Sequence, residues 1–254
     1  MSGVPDRFDI ALEMVAACRG RRDAWDFLRR FTEVWATRLD ESSGCDDQEL
    51  TAAEHRLGLT LPAAVREGYA LLGRRDDLTS NQDTLLRPDQ LRFDETGQAL
   101  VFRVENQAVA YWGIAAEDLR LDDPPVIFQL DAPRGAPQPW RRFLDRFSLA
   151  CVEMVLTEHR SDYHDNRESD QAALGLLERH YTRLAMPDYP LWVGTDYPMP
   201  AGPDEPPVRW FSGRDVLIRD DSRQWMSVAA RTPEALQAVR HTIPGDWLMA
   251  PPAV

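Results

Sequence analysis

The chain has 254 residues, 43% hydrophobic and 28% charged, a globular balance that excludes disorder as its main state. Its 42 acidic and 29 basic side chains give a net charge of −13, and every basic one is an arginine, which excludes a lysine Schiff base or a P-loop lysine. The acidity argues against direct nucleic-acid binding, which needs a basic face, and suits a basic protein partner drawn in by an opposite field.

The opening residues MSGVPDRFDI lack the charged start and apolar run of a signal peptide, and no apolar stretch approaches the ~20 residues of a membrane span, so a cytoplasmic protein is expected. Residues 7–40 read as two helices. Phe8, Leu12 and Val15 give the first its apolar face, and Gly20 breaks it. Ala24, Phe27, Leu28, Phe31, Val34, Trp35 and Leu39 give the second a stripe of period 3.6. After a loop from Glu41 to Asp47, Thr51 and Glu54 have the spacing of a capping box, with Leu50 as the apolar residue before the cap. That helix should stop at Gly58 in a left-handed C′ position, and Pro62 should open the next at its first position. Val65, Tyr69 and Leu72 form the buried face of this helix, and Gly73 ends it.

The period then changes to two. Leu100–Val104 and Ala108–Ile114 read as a β-hairpin around Glu105-Asn106-Gln107. Asp122-Asp123-Pro124-Pro125 is a rigid turn, and Val126–Leu130 is the next strand. Residues 140–159 return to helix through Phe143, Phe147, Cys151, Met154 and Val155. Asp162–Asp170 is a polar link, and Leu174, Leu177, Tyr181 and Leu184 mark another helix. The passage from Pro187 to Pro207 is too broken for regular structure. Val208–Phe211, Val216–Ile218 and Trp225–Ala229 are short strands, with Asp220-Asp221 at a turn, and Thr232 caps a last helix opened by Pro233. Strands grouped between helices, with no room for a helix after each strand, predict an α+β fold with an antiparallel sheet and helices mainly on one side.

Three segments taken in order carry a resemblance: Leu57-Gly58-Leu59-Thr60-Leu61-Pro62 running into a helix that ends Leu72-Gly73; Val101-Phe102-Arg103-Val104-Glu105-Asn106-Gln107 with Trp112-Gly113; and Asp123-Pro124-Pro125-Val126. Together they resemble the SUKH superfamily, in its yeast cell-wall-regulator-like subgroup, over roughly residues 45–160. The resemblance implies a twisted antiparallel sheet and a non-enzymatic, protein-binding function. Many bacterial members are immunity proteins that neutralise a toxin of a polymorphic toxin system, such as a basic nuclease or deaminase. The alternative is an intracellular regulatory scaffold with several protein partners. It transfers no catalytic residues. The implied organisation is an N-terminal helical extension (1–44), a SUKH-like α+β domain (45–163) and a C-terminal helix–strand extension (164–254), the last either separate or continuing the same sheet.

The candidate partner-binding surface consists of Glu105, Asn106, Gln107, Trp112, Asp122 and Asp123. The three polar residues at the hairpin are either a solvated turn or a contact surface, and Trp112 is either core packing or an anchor for a partner. No cofactor or metal is expected. Cys18, Cys45 and Cys151 form no paired motif, and Cys18 and Cys151 read as core hydrophobes. His159 and His164, with Asp162 and Asp165 nearby, read as a solvated helix end, and His55 and His180 as ordinary helix residues. The pairs Asp46-Asp47, Asp76-Asp77, Asp122-Asp123 and Asp220-Asp221 read as turn carboxylates facing water, and inward, desolvated acids in a cleft would be needed to revive a hydrolase.

Overall fold

Apolar residues spaced every three to four positions early in the chain, and every two in its middle, give helices followed by strands. The computed structural model describes residues 8–130, 138–191 and 205–249. Among them no helix is long and apolar enough to cross a membrane. The fold is α+β, with an N-terminal helical region, antiparallel sheets, and strands and a helix at the C-terminal end.

Helices α1 (Ile10–Ala17) and α2 (Arg21–Trp35) pack on each other. α2 buries Ala24, Phe27, Leu28 and Phe31 as its stripe requires. α1 corrects the expected face: it buries Ile10, Met14 and Ala17, and leaves Leu12 71% and Val15 47% exposed. Both sets have helical spacing, so the side that packs is settled by tertiary contact and not by period.

α3 (Asp47–Leu57) starts a turn earlier than Thr51 suggested. Its capping box is made by Asp46, which accepts from Glu49 N at 2.9 Å, and by Glu49, whose Oε2 accepts from Asp46 N at 2.9 Å. Thr51 lies inside the helix, and Glu54 instead accepts from Leu61 N at 2.8 Å and pairs with Arg66 at 2.7 Å. Gly58, at φ 70°, ends α3 in the left-handed region. Pro62 takes the N-cap of α4 (Ala63–Leu72), one place before the expected position, and Val65, Tyr69 and Leu72 are buried. Gly73 is not left-handed, with φ −63°; a Cβ there would lie 2.4 Å from Cys45 Sγ, so close packing requires this glycine. The single turn α5 (Asp76–Thr79) leads into the sheet.

The first sheet contains β1 (Asp83–Leu85), β2 (Arg92–Phe93), β3 (Ala99–Glu105), β4 (Ala110–Ala115), β5 (Val126–Leu130) and β6 (Arg141–Leu144). The order is β1-β3-β4-β5-β6, with β2 also paired to β3, and every pairing is antiparallel. Residues 141–144 were expected to be helical; pairing with the open edge of β5 outweighs their helical spacing, and helix α6 (Phe147–Glu158) begins only afterwards. α6 is buried along almost its whole length, against α2, α4 and α5.

The C-terminal strands do not continue this sheet. β7 (Tyr163–Glu168), β8 (Thr182–Arg183), β9 (Arg209–Gly213), β10 (Val216–Asp221) and β11 (Trp225–Ala230) form a second antiparallel sheet in the order β7-β11-β10-β9-β8, with α7 (Gln171–His180) and α8 (Pro233–Thr242). Thr232 caps α8, accepting from Ala235 N at 3.1 Å. The expected polar link is therefore partly a strand. Main-chain pairing of β7 with β11 over six residues holds it, and a polar sequence is no bar to an edge strand. Of the broken passage from Pro187, residues 192–204 lie outside the described residues; on its flanks Tyr189 and Val208 form an isolated bridge.

Alternation along β10 gives the second sheet two different faces. Val216 and Ile218 join a small core with Leu174, Leu177, Leu236 and Val239 of α7 and α8. Leu217 belongs to the main core with Trp210, and Arg219 and Asp221 share its side of the strand. The two sheets therefore meet across a seam.

Candidate functional site

The seam contains buried charge. A register shift on β3 between Val101 and Arg103 marks a bulge: Val101 pairs with Gly113, and Arg103 pairs with Trp112 on β4. Phe102 packs edge-on to Phe147 of α6 at 5.0 Å, and the next residue, Arg103, also reaches α6. Bulges re-aim side chains in this way, and here a guanidinium enters the core side of the sheet.

Arg103 is surrounded by three carboxylates. Nη1 donates to Glu153 at 2.9 Å, and Nη2 donates to Asp83 at 2.7 Å and to Glu158 at 3.1 Å, while the guanidinium lies 4.6 Å from the ring centre of Trp112. Glu158 also accepts from the main-chain N–H groups of Asn81, Gln82 and Asp83, so it ties the end of α6 to the start of β1. Glu153 accepts from Thr157 at 2.8 Å and from the Tyr189 hydroxyl at 3.2 Å, and that hydroxyl accepts from Trp210 Nε1 at 2.8 Å. From the second sheet, Arg219 donates to Thr157 at 3.2 Å, and its Nε lies 2.6 Å from Asp221, an ion pair without hydrogen-bond alignment.

Burial pushes the Asp83 carboxyl up to about 6, against the pull of Arg103, with Glu158 and Glu153 adding to the rise. Burial likewise raises Asp221, against Arg219. Burial opposes the charge on Arg103, but Glu153, Asp83 and Glu158 outweigh it and hold the guanidinium protonated beyond its usual range. The Tyr189 hydroxyl is raised well above its ordinary value, first by burial and then by Glu153.

These groups line a cleft of about 290 Å³ whose other walls include Phe143, Leu191 and Trp225. A second cleft of about 520 Å³ shares Gln82, Thr157, Arg219, Asp221 and Trp225 with it and extends past His159 and His164. His159 is not solvated as expected: it stands edge-on to Phe31 at 5.5 Å and Trp35 at 6.1 Å, and burial lowers its pKa to about 4. His55 and His180 are exposed on their helices. Among the described residues no group of three or more His, Cys, Asp or Glu is placed to hold a metal, and all three cysteines are free.

The structure separates the residues expected to form one partner-binding surface. Asn106 and Gln107 are exposed at the β3–β4 turn, but Glu105 is buried and accepts from Gln107 N at 2.7 Å, closing that turn. Trp112 is buried and faces the seam cleft. Asp122 and Asp123 lie beyond the other end of β4, so the six do not form one patch. Asp123 is structural: it accepts from Ser148 N at 2.9 Å and Ser148 Oγ at 2.6 Å, while the carbonyls of Asp122 and Pro124 accept from Ala64 N and Phe147 N at the starts of α4 and α6. The carboxylate of Asp122 is 87% exposed.

Asp220-Asp221 is not a solvated turn pair. Asp220 is fully buried and accepts from Ser169 Oγ at 2.9 Å, and Asp221 faces the seam cleft. Asp165, placed in a polar link, is also fully buried and accepts from Arg240 Nε at 2.8 Å. The missed cluster did leave a trace in the sequence: Arg103 and Glu153 each interrupt an otherwise apolar run, where a charge needs a partner. Neither protein-family models, curated proteins nor solved structures give a match to this chain.

Proposed function

We propose that the protein works by binding a basic protein, and that it is an immunity-type inhibitor of a toxin, the function its SUKH-like segments imply. The observation that carries this reading is the loop after β4. Glu117 and Asp122 are exposed there with one exposed arginine, Arg120, Asp118 is half-buried, and Leu121 projects with 41% of its surface open. An apolar side chain in a loop with three acids to one arginine, on an acidic protein, fits a basic surface that has an apolar pocket. A nuclease or deaminase with a basic substrate groove has the complementary chemistry, with the carboxylates standing in for phosphates.

The test is affinity capture of the tagged full chain from its own host at low and moderate salt, followed by co-expression of any retained protein with the chain. The expected result is one toxic partner whose growth defect this chain relieves. Changing Glu117, Asp118 and Asp122 to arginine should slow association about tenfold or more, most at low salt. Recovery of several non-toxic partners would replace the immunity reading with the regulatory one. Unchanged association by the charge-reversed variant would remove the loop from the interface.

A further inference from the structure

The seam cleft holds polar groups that no described residue satisfies. Trp112 is 2% exposed, and its indole N–H has no acceptor. Arg103 commits both terminal nitrogens to carboxylates, yet its Nε is buried and unpaired. Gln224 Nε2, a donor, also lacks a hydrogen-bond partner, and all three residues line the same cleft. Buried groups left unpaired are few in native proteins, and several around one cleft point to a partner from outside the chain.

The surroundings restrict what that partner is. Asp83, Glu153, Glu158 and Asp221 outnumber Arg103 and Arg219 here, so an added anion meets net negative charge. A cation fares no better, because both oxygens of Glu153 and of Glu158 already accept hydrogen bonds, while Asp83 is paired with Arg103 and Asp221 with Arg219. What remains is an uncharged molecule with acceptors for the Trp112, Arg103 and Gln224 N–H groups. The flat walls of Phe143, Tyr189 and Trp225 favour a planar ring, and about 290 Å³ lies at the small end of ligand pockets.

We propose that this cleft binds a small uncharged heteroaromatic molecule whose ring or carbonyl acceptors meet these N–H groups, as those of a free nucleobase would. The site shares no residue with the acidic loop after β4 and stands independently of it.

The experiment is isothermal titration of the full-length protein with adenine, cytosine, uracil and hypoxanthine, with phosphate, acetate and guanidinium as charged controls. At least one base should bind while the controls do not. Trp112→Phe keeps an aromatic ring but removes the N–H, and should weaken that base about tenfold, the worth of one hydrogen bond. Gln224→Leu alters a half-buried residue next to β11 and guards against a Trp112 variant that fails to fold; it should weaken the same base several-fold. The proposal is overturned if no base binds at millimolar concentration, if a charged control binds as well as the bases, or if affinity is unchanged in the folded variants.

Discussion

Replacing Arg103 with methionine retains an unbranched stem and removes the charge on which three buried carboxylates depend. The substitution abolishes contacts of 2.9, 2.7 and 3.1 Å to Glu153, Asp83 and Glu158, and the stacking on Trp112 at 4.6 Å. Breaking a buried ion pair from one side costs about 3–5 kcal/mol, because the remaining charge stays buried without compensation. That is a large fraction of a total stability of about 5–15 kcal/mol, and for a chain of this length it corresponds to a fall in Tm of roughly 6–20 °C. The loss should depend on pH. Asp83 is already raised to about 6 by burial, and without the cation that opposes the rise it binds its proton more readily still, so stability recovers as pH falls toward about 5. Urea unfolding followed by tryptophan fluorescence, near pH 7.5 and again near pH 5, measures both effects. A loss below about 1 kcal/mol at the higher pH, or the same loss at both, would show that the cluster is not a charge-compensated unit.

Two further variants separate opposing titrations. Asp83 is raised to about 6 in the folded protein, so its ionisation removes stability as pH rises from its unfolded value through 6; His159 is lowered to about 4, so stability is lost as pH falls from its ordinary 6.5 toward 4. The two slopes offset each other in the wild type. Asp83→Asn should therefore steepen the loss toward acid, and His159→Leu should reduce it, as read from urea midpoints across that range; matching profiles in all three proteins would refute both assignments. Asp46→Ala should cost about 1 kcal/mol and Thr51→Ala close to nothing, since the capping box belongs to Asp46, and thermal melts of both variants check this. Gly44→Ala should destabilise by about 3 kcal/mol or more, because its Cβ would stand 1.7 Å from the Ala70 carbonyl oxygen; a melt within a degree or two of the wild type would contradict that packing.

Much of the fold was legible because local chemistry decided it. The α2 stripe, Gly58 at φ 70°, the strand Val126–Leu130 and the Thr232 cap all rest on residues within a turn or a strand of one another. The errors fall where two local readings competed. α1 has two sets of helical spacing, two capping boxes stand five residues apart, and 141–144 satisfies a helical period but pairs as a strand. The candidate surface fared worse. Exposure of Glu105 and Trp112 depended on a turn and a bulge that no spacing encodes, and Asp122 and Asp123 share a turn but not a task.

By itself the sequence determined an acidic, lysine-free chain whose helices precede and flank antiparallel strands, because charge, composition and periodicity are properties of neighbouring residues. Only the tertiary structure decided that the C-terminal strands build their own sheet, and that Asp83, Arg103, Glu153, Tyr189 and Arg219 converge between the two sheets. These residues are separated by up to more than a hundred positions, and a one-residue bulge turns Arg103 toward its partners. Strand register and the meeting of distant faces arise from the packing of the whole chain, where a shift of one residue reverses which side chains are buried.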